Sequence, residues 1–391
     1  MKLSTNAILT THAGSLPRGE PLGSYLIDDE LGKPVDHAKM EAATEERVAH
    51  VVKKQSEVGI TVANDGEQGR VGFQTYMTQR MTGFGGVSQR PYGQDWVNFP
   101  TFNERFFQRL PPRVGKVFGA PQAIADVKYK DTKAIEAETA RLKRVTQKVH
   151  PNVVEQFMNA PSPGIVATTM LNAFYPSYEA YLTAVAKQLN IEYKKVVEAG
   201  FLLQIDAPDL AMERTLLFQD KTDAEFVKIL EQHVTAINVA LEGIPADRAR
   251  LHVCWGNWEG PHVYDVAMEL ILPPLYQAKV AALGLEFAMS RRQHETAALK
   301  KVKVPDRLAI VPGVIDSKSN VVEHPEVVAQ RIERVVDAVG DRERVIAGVD
   351  CGFGTFVGWE WVTEDVVWAK LGALADGAAI ASKRLWGKKA A

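Results

Sequence analysis

Residues 250–255 read RLHVCW, and whether they form a strand decides the architecture of the chain. Successive side chains of a strand point to opposite faces, so a strand here sends His252 and Cys254 one way and Val253 the other. Runs of the same β-rich kind recur along the sequence: AILTTH (7–12), ITVAND (60–65), GIVATT (164–169), FLLQID (201–206), LEFAMS (285–290), LAIVPG (308–313) and VIAGVD (345–350). Between them lie amphipathic patterns at 38–58, 178–199, 223–242, 263–282, 325–339 and 364–384, with apolar residues three and four apart and charges on the other side. Strands alternating with helices specify an α/β fold, and eight strands in this order predict a closed (β/α)8 barrel of the TIM type.

The span 73–162 is too long for one connection and reads as a large insertion after the second strand. Its first part is rich in aromatic residues, Arg and Gly, and 131–150 reads as a charged helix. Such an insertion is either an ordinary packed subdomain or a flap that touches substrate, because functional loops of barrels gather at one face. No repeat, low-complexity tract or Gly/Ser linker divides the chain, so residues 1–391 are expected to form one barrel domain. With 46 Lys+Arg against 48 Asp+Glu the formal net charge is -2, which leaves no basic footprint for a nucleic-acid backbone. No run approaches the roughly 18 apolar residues of a membrane span. The polar opening MKLSTNAILTTHAGS lacks the pattern of a secretory signal. A cytoplasmic protein acting on small molecules is expected.

In a barrel the carboxyl ends of the strands converge on one mouth. There the sequence places His12, Gly14 and Ser15, then Asp65, Glu67 and Arg70, then Gln204 and Asp206. Later strands add His252 and Cys254, Glu286, Arg291 and His294, Asp316 and Lys318, and finally Asp350 and Cys351. Both cysteines of the chain thus share the mouth. An isolated His-x-Cys pair reads either as a two-ligand claw for a borderline-soft metal or as a packed histidine beside a small core hydrophobe. With Cys351 and the strand-end Glu286 added, His252 and Cys254 make a mixed nitrogen, sulfur and oxygen set that tetrahedral zinc accepts. The competing reading of Glu286 is an ion pair with Arg291 or Arg292.

These motifs carry a resemblance. HVC (252–254), the Glu of LEFAMSR, PGVIDSKS (312–319) and DCG (350–352) follow the order and approximate spacing of the catalytic domain of cobalamin-independent methionine synthases, and GSLPR, GEQGR and QIDAP resemble its earlier motifs. The resemblance implies a (β/α)8 barrel with zinc held by His252, Cys254, Glu286 and Cys351. It also implies that the backbone near Gly14 and Ser15, with Glu67 and Asp206, holds the amino-acid end of homocysteine. Lys318 stands where the family motif has His, NAPSPGIVATTMLNAF (159–174) lacks the tryptophan of the long enzymes, and the chain has no room for their second barrel. Methyltetrahydrofolate is therefore not assigned as donor. Short relatives include one-barrel methionine synthases and zinc enzymes that alkylate coenzyme M with epoxides.

A thiol is a weak nucleophile until it loses its proton, and metal coordination holds the thiolate at neutral pH. Two cysteine thiolates and a carboxylate give such a site net negative charge, which keeps a bound sulfur electron-rich; alkyl transfer suits it better than hydrolysis. The leaving group needs a proton, for which Asp206, Asp316, His294 and Lys318 are candidates. Three functions stay open: a zinc S-methyltransferase making methionine from homocysteine, a zinc alkyltransferase for another thiol or an epoxide, and a metal-binding barrel without catalysis. Glu67 and Asp206 suit the ammonium of homocysteine and not the sulfonate of coenzyme M, unless Glu67 lies in a solvated turn and Asp206 is a cap.

Overall fold

The computed structural model describes residues 1–109, 119–147 and 152–387. Its strands are β1 (Val62–Ala63), β2 (Met81–Gly85), β3 (Gln122–Tyr129), β4 (Glu155–Pro161), β5 (Leu202–Asp206), β6 (Ala249–Val253), β7 (Ala282–Glu286), β8 (Ala309–Ile315) and β9 (Gly348–Val349). Seven of them pair in parallel in the order β1-β4-β5-β6-β7-β8-β9, while β2 and β3 form a separate antiparallel pair. β5, β6 and β7 are buried at every position, as expected of parallel strands covered on both faces. The register sets Pro161 opposite Asp206 and Asp206 opposite His252, so the carboxyl ends of neighbouring strands finish level. The sheet curls. Thr10 bridges Ala347 and Thr11 bridges Val62, both in parallel, which places the segment around residues 10–11 between the two edges of the sheet.

The covering helices begin and end where local chemistry stops them. Asp36 and Ser177 accept N-cap hydrogen bonds for His37–Glu57 and Tyr178–Glu198, and Thr222 with Glu225 forms a capping box for Asp223–Ala240. Pro325–Val339 ends at Gly340, whose φ of 78° is the left-handed C-terminal stop. The pattern expected at 263–282 shortens to the helix Met268–Leu275, which contains Pro273 and Pro274. The apolar faces of these helices and the strands share one large core.

One expected strand is a helix. GIVATT (164–169) lies in the buried helix Pro163–Thr169, and the third central strand is instead β4, inside the span read as insertion. The β-branched residues suggested a strand, but Ser162 accepts from the Ile165 N–H and Pro163 occupies the first helical turn, a start signal that fixes the segment as helix. LEFAMS contributes only its first two residues to β7.

Within 73–162, residues 110–118 and the last three residues of the helix expected at 131–150 lie outside the described residues; the rest of that helix spans Lys133–Gln147. A buried charge network fastens this insertion to the sheet side. Glu138 accepts from Arg70 at 2.9 Å and from Arg80, Glu192 accepts from Tyr76 at 2.5 Å and from Tyr129, and the Arg70 and Arg80 guanidiniums both lie over the Tyr76 ring, at 4.4 and 5.1 Å from its centre.

Candidate metal centre and active site

A cavity of about 620 Å³ opens at the carboxyl ends of the strands, with Ala13, Ser15, Glu67, Asp206, His252, Cys254 and Cys351 in its lining. The alternation expected for residues 250–255 is realised: Leu251 and Val253 join the core while His252 and Cys254 face the cavity. Cys351 reaches the same place from the end of β9. Ligand atoms of His252, Cys254 and Cys351 all lie within 4.8 Å of one another, and the two sulfurs are 3.7 Å apart. These side chains fit a metal ion. Two thiolates about 2.3 Å from a tetrahedral metal stand about 3.8 Å apart. His252 Nε2 is also buried with no hydrogen-bond partner among the described residues, a state that protein interiors rarely leave uncompensated. The hydrogen bond from the Cys351 thiol, with the nearby His252, holds Cys254 well below its ordinary value, while the same hydrogen bond and burial push Cys351 well above its own.

Glu286 lies beside this group rather than within it. Its Oε1 accepts from Lys318 Nζ at 2.9 Å, while Oε2 is buried without a partner among the described residues. The arginines considered as its partners are engaged elsewhere, Arg292 with Asp265 and Glu295, and Arg291 with the Val263 carbonyl. Lys318 is 5% exposed and Glu286 is fully buried, so each neutralises a charge the other could not carry alone. Asp350, next to Cys351, accepts from the N–H groups of Phe287, Ala288 and Met289 at 2.9, 2.9 and 2.7 Å. It thereby ties the Cys351 loop to the segment that follows Glu286. Gly313 makes room for it, since a Cβ there would stand 2.1 Å from Asp350 Oδ1.

On the other side of the cavity Glu67 and Asp206 form a second charged centre. Glu67 has a φ of 53°, a left-handed conformation that a non-glycine residue adopts at a cost of about 1–2 kcal/mol, and Asp65 Oδ1 supports it by accepting from its N–H. Burial, followed by the charge of Asp206, pushes the Glu67 carboxyl up to about 8, against the pull of Arg18, whose Nη2 is 3.9 Å away. Asp206 is raised to about 6 by burial, although its oxygens accept from Gln204 and Asn159 at 2.8 Å. Asn159 also donates to the Ala13 carbonyl at 2.8 Å. Gly14, at φ 126°, lies so close to Asn159 that a Cβ would meet its amide at 2.3 Å. The turn after Asp206 is pinned by Asp209, which accepts from Ser162 at 2.5 Å and bonds His233 at 2.7 Å; His233 in turn meets Tyr178 at 2.7 Å.

The structure thus brings together Ser15, Glu67, Asp206, His252, Cys254 and Cys351. Gly14, Glu286 and Lys318 stand next to the lining, and His294 is exposed and outside it. Sequence reasoning missed Asn159, Asp209, and the rings of Trp258 and Trp359 that line the outer cavity.

A histidine and two cysteines that could hold a metal ion thus stand at the carboxyl ends of the strands of a parallel sheet, where α/β proteins carry their active sites. The chain belongs to the family of the cobalamin-independent synthase catalytic domain, whose model matches residues 113–373. Among curated relatives it is 25% identical to the 2-hydroxypropyl-CoM lyase of Xanthobacter autotrophicus, over 89% of this chain and 88% of the relative. It is also 25% identical to the methionine synthase of Thermococcus kodakarensis, over 88% and 86%. The fold is similar to a B12-independent methionine synthase from Shewanella sp. W3-18-1 solved in complex with selenomethionine, with a TM-score of 0.71, 20% identity, and 97% and 99% of the two chains covered. The expected family, and with it the methyltransferase class of enzyme, is borne out. Among the described residues no helix is long and apolar enough to cross a membrane.

Proposed function

We propose that this chain is a zinc-dependent thiol S-methyltransferase whose thiol is homocysteine. It would work in the cytoplasm as one (β/α)8 barrel, closed by the segment at residues 10–11 and carrying the insertion after its second strand. The observation that carries the reading is the grouping of His252, Cys254 and Cys351 within 4.8 Å in the cavity that Glu67 and Asp206 also line. His252, Cys254 and Cys351, with the unpartnered oxygen of Glu286, would hold zinc. When bound, zinc supplies ionisation of the substrate thiol at neutral pH.

The chain's own residues orient that thiol. Between the values of Asp206 and Glu67, near 6 and 8, the pair carries one negative charge, which matches one substrate ammonium. Ser15 and the turn at Gly14 supply a hydroxyl and backbone N–H groups for the carboxylate. Lys318, bound to Glu286, sets the charge of a ligand rather than donating a proton to the cavity, and His294 has no part. The relation to 2-hydroxypropyl-CoM lyase supports a second reading, alkyl transfer to a different thiol.

Elemental analysis with X-ray absorption at the zinc edge tests both. About one zinc per chain and one added sulfur neighbour with homocysteine are expected. A zinc shell unchanged by homocysteine but altered by coenzyme M transfers the assignment to the second reading, and absence of stoichiometric zinc removes both.

A further inference from the structure

Given that methyltransferase reading, on which this inference rests, the outer cavity names the class of the methyl donor. Away from the cysteines the wall becomes aromatic: Tyr92 and Trp96 come from the insertion, Trp258 from the loop after β6, and Phe356 and Trp359 from the loop after β9. The Trp258 ring meets Trp96 edge-on at 5.5 Å and packs against His262 at 4.8 Å. Three segments distant in sequence therefore converge on one wall of rings.

Among the described residues the charges in this wall are mostly negative. Among the described residues lining the cavity, Glu67, Asp95 and Asp206 bear carboxylates, against a single guanidinium, Arg90, which is bound to Glu213 at 2.5 Å. Glu67 and Asp206 serve the amino-acid end of the thiol. Asp95 is left: it is 3% exposed, held by the Val263 N–H at 3.0 Å, and adjacent to Trp96. Ring faces and a buried carboxylate attract a soft cation with an apolar surface and disfavour a polyanion.

We propose that the methyl donor is an onium compound, a sulfonium or a quaternary ammonium, with its charged centre between the ring wall and Asp95. The substrate thiolate attacks the methyl carbon, and the new S–C bond forms as the bond from that carbon to the onium atom breaks. The electron pair of the broken bond stays on the departing thioether or tertiary amine, which leaves neutral and needs no proton. One negative and one positive charge disappear, so the poorly polar surroundings of the ring wall favour the step over the same reaction in water.

The test uses zinc-loaded full-length protein and two ligands of one shape, choline and its neutral carbon isostere 3,3-dimethylbutan-1-ol, titrated by calorimetry and tryptophan fluorescence. Choline is expected to bind about tenfold more tightly than the isostere. Trp258→Leu and Asp95→Asn should each remove most of that preference, while Trp258→Phe keeps it and controls for folding. Methyl transfer to homocysteine from trimethylsulfonium and from tetramethylammonium tells the two onium sources apart. Equal binding of choline and isostere, a preference untouched by Asp95→Asn, or faster turnover with 5-methyltetrahydrofolate than with either onium would overturn the inference. Homocysteine is followed at the zinc edge in the same preparation. If it joins the metal while the onium arms fail, the donor class alone is wrong; if it does not, the thiol assignment has failed first.

Discussion

Replacing Glu67 by Gln is expected to make the protein more stable and worse at its task. The buried carboxyl rises from an ordinary 4.5 to about 8, so between those values the folded chain keeps a proton that the unfolded chain has lost. Stability then falls as pH rises, by up to about 1.4 kcal/mol per pH unit, and ceases to fall above the folded value. The loss amounts to about 3 kcal/mol at pH 7 and about 5 kcal/mol well above pH 8. Gln has nearly the same shape and cannot ionise, so E67Q should gain those amounts at those pH values and gain about 1 kcal/mol or less at pH 5. Urea unfolding of both proteins at pH 5, 6, 7 and 8 measures the gap directly. A gap independent of pH, or a variant less stable than the parent at pH 8, would refute the buried-carboxyl argument. At pH 7 the single charge of the pair stays on Asp206 in the variant; above pH 8, where the parent pair gains its second charge, homocysteine affinity of E67Q should fall behind that of the parent, a trade of stability against function of the kind active sites show.

The metal ligands give a sharper loss. Cys254→Ser and Cys351→Ser should each bring zinc content well below stoichiometry while far-ultraviolet circular dichroism stays that of the parent, because the fold rests on the large apolar core. Chelation of the parent should likewise leave the helix signal nearly unchanged, and collapse of that signal would make the metal structural. Asp350→Asn weakens the acceptor of three backbone N–H groups behind Cys351 and should lower zinc affinity about 10- to 100-fold in a competition titration with a chelating dye. Asp209→Ala leaves Ser162 and His233 buried without their acceptor and should cost about 3 kcal/mol in urea unfolding, with zinc content unaffected.

What could be read in the sequence was what obeys a local rule. The period of two along a strand put His252 and Cys254 on one face, and the convergence of strand ends in a parallel fold brought in Cys351, Glu67 and Asp206. GIVATT was misread because its β-branched content was weighed above the Ser-Pro start signal just before it. The lysine that binds Glu286 lies 32 residues away on another strand end, whereas the arginines weighed against it were near neighbours in sequence. Asn159 touches Ala13, Asn64 and Asp206 only because three strand ends meet. The ring wall is assembled from loops and one short helix, Gln94–Asn98, whose approach to one another no periodicity encodes.

The pairing of Thr10 with Ala347 has a consequence for how the chain is made. A ribosome releases the segment around residue 10 at the start of synthesis, yet one of its two flanking partners emerges some 337 residues later. At roughly 5–20 residues per second that interval is on the order of twenty seconds to a minute. Through that time the bridge from Thr11 to Val62 can form, but the side of the segment that will meet Ala347 has no partner. The early chain must therefore wait with one edge open, and a growing neighbour or a holding chaperone finds there a strand edge ready to be paired.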